Sequence, residues 1–161
     1  MNIWSNKNAI ENYYVSNPNI RKGLILRVQK GVDAEVRRSC IEFAKWLRMH
    51  YYFPIRVPVY IKKAQYVKTQ SQETVSAKFF APYDKLVEPY ISIATGDIKE
   101  IEQKQGKDEA LAAVLCSLAH ELTHYFQWIN DVDLASEKAE RQARYYKKKI
   151  VWEYSKTHEH P

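Results

Sequence analysis

Apolar residues recur along this chain with two different periods, and the changes between them mark its elements. From Asp33 to His50 the positions Val36, Cys40, Phe43 and Leu47 advance by fours and threes with charges between them, which predicts an amphipathic helix. Asp33 is placed to cap its start, and Pro54 and Pro58 prevent its continuation. Over residues 57–95 the pattern changes. VPVYIKK, ETVSAKFFA and EPYISIATG are rich in β-branched and aromatic residues, separated by turn formers such as Pro82, Asp84 and Gly96. They predict three strands, and AQYVKTQ is a candidate for a fourth. The helical period returns over 108–129, where Leu111, Leu115, Leu118, Leu122, Phe126 and Ile129 form one stripe behind Asp108 and Glu109. A last helix is predicted from Leu134 to Tyr154, with Ala135, Ala139, Ala143, Tyr146 and Ile150 on one side. Residues 7–16 read as a short leading helix ended by Asn17-Pro18, and IRKGLILRVQKG suits strand or helix equally. Helix, sheet, helix, helix is the order of a single α+β domain over residues 1–161.

Composition narrows the class. A chain of 161 residues that is 45% apolar and 13% aromatic can bury a core of its own. It has no apolar run of about 18 residues, and MNIWSNKNAIENYY lacks the apolar core of a signal peptide, so a cytoplasmic location away from membranes is expected. Cys40 and Cys116 each lie in an apolar helical segment and read as small buried hydrophobes. The net charge of +6 is concentrated late in the chain, where Arg141, Arg144, Lys147, Lys148 and Lys149 read as a solvated helix face. A nucleic-acid or acidic partner is the alternative. The closing HEHP reads as a frayed terminus rather than a metal site.

Candidate chemistry enters at HELTH, residues 120–124. On a helix His120 and His124 lie about 40° apart, opposite the leucine stripe, and their neighbours on that side, Ala113 and Ser117, are small. Two imidazoles at this spacing can bind one Zn²⁺ together. Glu121 projects beside them, where it can take a proton from metal-bound water rather than bind the ion. The surrounding Leu118, Ala119, Leu122, Thr123, Tyr125 and Phe126 are uncharged, so three polar side chains would be costly there without partners.

HELTH in this setting resembles the active-site helix of zincin metallopeptidases, most closely over residues 108–144. The resemblance implies a zincin-like fold: an N-terminal helix, a small, mostly antiparallel sheet, the active-site helix and a C-terminal helix. It also implies a third ligand downstream. No histidine lies between His124 and His158, and Gln127 and Asn130 stand where a three-histidine site has glycine and histidine. Cys116, on the same helix, is wrongly placed for the cysteine ligand of deformylases. Glu137 and Glu140 remain. Glu140 lies about 100° from the centre of the alanine face and Glu137 about 160°, so Glu140 is the better aimed. ERQAR also resembles the E-x-x-A-D string of gluzincins, with Arg144 in place of the aspartate that supports a ligand there. Asp131 or Asp133 could orient an imidazole instead.

The implied function is a zinc-dependent endopeptidase of gluzincin type, similar to minigluzincins and to small ImmA/IrrE- or SprT-like domains. His120, His124 and Glu140 would hold Zn²⁺, Glu121 would be the general base, and Tyr145 or Tyr146 an oxyanion donor. Its partner would be a peptide or protein substrate, paired with the strand EPYISIAT if that is the sheet edge. The alternative is a non-catalytic zinc-binding domain that binds a protein or nucleic acid.

Overall fold

The segment that suits strand or helix equally by sequence is a strand in the computed structural model, which describes residues 2–5 and 20–161. The leading helix expected over 7–16 lies outside the described residues. Strand β1 (Leu24–Val28) is followed by helix α1 (Ala34–His50), then β2 (Val57–Lys62), β3 (Val67–Lys68), β4 (Thr74–Val75), β5 (Ala77–Phe80) and β6 (Tyr90–Ala94). Helices α2 (Ile98–Gln105), α3 (Lys107–Ile129) and α4 (Glu137–Ser155) complete the chain. Asp33 caps α1 as its position suggests, Oδ1 accepting from the amides of Glu35 and Val36 at 2.9 and 3.2 Å.

The main sheet has the order β1-β2-β6-β5. It is mixed rather than mostly antiparallel: β1 and β2 run parallel, as do β2 and β6, and only β5 is antiparallel to its neighbour. The physical cause is α1. It carries the chain back along the sheet between β1 and β2, and such a crossover is what sequential parallel strands require. Position in the sheet corrects a second expectation. EPYISIAT contains β6, which is an inner strand flanked by β2 and β5, so its backbone has no free edge. The edge on that side is β5. The run ETVSAKFFA is divided at Ser76: β4 pairs with β3 in a separate small ribbon, and β5 pairs with β6. AQYVKTQ contributes only β3, outside the main sheet.

One core joins the layers. Ile61, Ile91 and Ile93 from the sheet meet Phe43 and Leu47 of α1 and Leu115, Leu118 and Leu122 of α3, all essentially excluded from solvent. The predicted stripe on α3 is buried along its whole length. Three polar tethers fix this helix. Tyr125 Oη donates to the Ile55 carbonyl at 2.5 Å and accepts from its amide at 3.1 Å. Trp128 Nε1 donates to the Pro82 carbonyl at 2.9 Å, and Trp4 Nε1 to Thr123 Oγ1 at 3.0 Å.

Helix α2 has few apolar residues and is not announced by periodicity. Gly106, at φ 94°, ends it and admits α3 in the next residue, a conformation that costs glycine little. The terminus is not frayed. His160 Nδ1 meets Asp108 Oδ2 at 2.9 Å, and Arg38 Nη2 donates to the Pro161 carbonyl at 2.9 Å.

Candidate metal centre

Helix α3 packs beneath β5 and β6 and against α4, so its one open side faces the groove between the sheet edge and α4. Ala113, Ser117 and His120 are half-buried on that side, as the small residues there predict. The chain reverses after Asn130, Ser136 Oγ accepts from the Ala139 amide at 3.1 Å, and α4 begins at Glu137 rather than Leu134. This reversal brings Glu140 back over the histidine pair.

The three predicted ligands converge. His124 Nε2 lies 2.9 Å from Glu140 Oε1 and His120 Nε2 lies 3.4 Å from Oε2. One donor atom from each residue falls within 4.8 Å of the others. Bonds of about 2.0–2.2 Å around a tetrahedral ion place its ligand atoms about 3.4 Å apart, so the spacing fits a small divalent cation. Cys116 and Glu137 are outside the group.

Protonation sharpens the fit. Gln127 is fully buried, and its Nε2 donates to the Ala139 carbonyl at 2.9 Å and to Gln142 Oε1 at 2.8 Å. Its Oε1 is therefore the atom 2.8 Å from His124 Nδ1. An amide oxygen only accepts, so Nδ1 carries the proton and Nε2 of the neutral ring is a bare lone pair. That lone pair faces a carboxylate oxygen. Two acceptors at this distance repel unless a cation, proton or metal, stands between them. His120 resists the proton. Burial, then the neighbouring His124, hold it down at about 4, against an opposing effect of Glu140.

Glu121 lies in the same open cleft of about 250 Å³ as the two histidines and Glu140. It is only 8% exposed, and no hydrogen-bond partner for it is found among the described residues. Burial, and secondarily the charge of Glu140, push it up to about 8. Carboxyls displaced in this way, without a partner and in a cleft, cluster at functional sites.

Other expectations fail. Asp131 is paired with Lys85, and Asp133 Oδ1 accepts from the Ala135 amide at 3.0 Å, so neither orients an imidazole. Gln127 does so. Its signal was available in the sequence as a polar residue three positions after His124 on an apolar helix, but an amide there also fits a solvent-facing side. Tyr145 and Tyr146 do not line the cleft. They turn about 140° and 240° away from Glu140 around α4. Tyr146 packs into the core and Tyr145 is exposed against it. Cys40 is sealed in the core, whereas Cys116 is only partly buried.

The wall opposite α4 is β5. The Ala94 amide donates to the Ser76 carbonyl at 2.8 Å, which makes Ser76, Lys78 and Phe80 the residues bonded to β6. The backbone groups of Ala77 and Phe79 therefore point outward along the cleft, unpaired among the described residues. Comparison of the chain with protein-family models, with curated proteins and with solved structures finds no match. Among the described residues no helix is long and apolar enough to cross a membrane.

Proposed function

We propose that the chain is a zinc-dependent peptidase of gluzincin type, with His120, His124 and Glu140 as ligands and Glu121 as general base. The observation that carries this reading is the convergence of three donors within 4.8 Å beside an unpartnered, buried carboxyl in an open cleft. A divalent ion held there supplies Lewis acidity toward a peptide carbonyl and toward water.

The chain's own residues supply the remaining work. Gln127 keeps the His124 proton on Nδ1 and so keeps Nε2 available as a ligand. The outward backbone of Ala77 and Phe79 can align an extended peptide as an added strand, which holds a scissile bond across the cleft. Glu121 takes a proton from the attacking water and returns it to the departing amine. A carboxyl raised towards neutrality can do both, because its affinity for a proton is intermediate between the two.

The test is cleavage of a mixed peptide library by the zinc-loaded chain and by Glu121→Gln. Cleavage by the parent, suppressed by chelator and reduced at least about a hundredfold in the variant with its zinc retained, is expected. Zinc binding without cleavage by either form would favour a non-catalytic zinc domain.

A further inference from the structure

Past Glu140, the α4 residue that lines the cleft, the same face of the helix carries cations. Arg144 and Lys147 follow Glu140 by four and seven residues, within about 40° of it around the helix, and so share its face toward α3. Facing them on α3 are His120, Ser117 and Cys116, all partly buried. Glu140, on the same face of α4, meets His120 at 3.4 Å and His124 at 2.9 Å, so the face that the two cations share looks on this stretch. Neither makes a hydrogen bond or an ion pair with any carboxylate of the described residues. Glu140, which at an i, i+4 spacing would ordinarily pair with Arg144, is turned to the histidines instead. On the acidic side, Glu140 heads this line, Glu137 precedes it by one turn, and Glu109 lies near the start of α3.

We infer that the α3–α4 face beside His120 is an anionic subsite, in which Arg144 and Lys147 hold an acidic side chain of the substrate peptide next to the scissile bond. This rests on the peptidase reading and names its substrate class. A nearby dication adds to the field of the two side chains, so this face repels basic peptides and attracts acidic ones. Each partly exposed pair contributes modestly, and two together correspond to about a tenfold preference at low salt.

The probe is a fluorescein-labelled peptide of extended sequence with glutamates on either side of its centre, compared with its glutamine and lysine counterparts. Binding is followed by anisotropy to the zinc-loaded Glu121→Gln chain, which does not consume the peptide, at low and at moderate salt. The glutamate peptide is expected to bind about tenfold tighter than the glutamine peptide, with the margin shrinking as salt rises. Arg144→Gln with Lys147→Gln should abolish the margin while leaving zinc content and the binding of the glutamine peptide unchanged, and Arg144→Lys should restore part of it. Equal binding of the two peptides, no measurable binding of the glutamate form, or a margin that survives the double substitution overturns the inference. A charge preference without cleavage by the parent chain would sink the peptidase reading and leave the subsite standing. Cleavage indifferent to charge would do the reverse.

Discussion

Glu121 and His120 are neighbours in sequence, and burial displaces their protonation in opposite senses with opposite consequences for stability. The folded state raises the Glu121 carboxyl from 4.5 to about 8, so the folded chain keeps a proton that the unfolded chain has lost. Stability of the ion-free chain then falls as pH rises through that interval. His120 is depressed from 6.5 to about 4, so its contribution is lost as pH falls through that range. Between 6.5 and about 8 only the glutamate effect of this pair operates. Urea midpoints of the metal-stripped chain should fall from about pH 6.5 to about pH 8.5, and Glu121→Gln should remove most of that fall. The same decline in both chains would mean that the carboxyl is not buried as described. The spacing of HELTH gave the identity of these groups. Their protonation depends on what covers them, which comes from β5 and α4 and is not local in sequence.

At the scale of elements, α3 and α4 act as one unit, and Gln127 joins them. Its amide bridges His124 on α3 and the Ala139 carbonyl and Gln142 on α4. Gln127→Leu should lower zinc affinity about 10–100-fold in competition with a chromophoric chelator, because His124 loses the acceptor that fixes its tautomer. Gln127→Glu, which keeps an acceptor for Nδ1, should retain more of the affinity. Unchanged affinity in the leucine variant would remove Gln127 from the site. Both helices were legible in sequence because each carries a long apolar stripe at helical spacing. Helix α2 was not, since Ile98 and Ile101 are its only apolar residues. The divided strand at Ser76 was also hidden, because a run with strand composition does not reveal that its two halves pair with different partners.

For the whole molecule, sequence pattern supplied the α+β class and the placement of α1, β2, β6, α3 and α4, but not the sheet's order or directions. Those follow from contacts between distant segments: Leu24 beside Val57, and Ile93 between Ile61 and Ala77. Whether EPYISIAT is the edge stayed open in sequence for this reason, since composition cannot separate inner β6 from outer β5. The convergence of His120, His124 and Glu140 was more legible because two of them share one helix and the third lies just after a short reversal. The fold around that convergence is continuous: the core holds α3 from behind, the sheet edge and α4 form walls, and one side is left open. X-ray absorption at the zinc K-edge, on the chain loaded with one equivalent of zinc, tests this most directly. Two imidazole nitrogens and one or two oxygens at about 2.0–2.2 Å, with no sulfur near about 2.3 Å, are predicted. A sulfur shell, or zinc that fails to bind tightly at one ion per chain, would contradict the site.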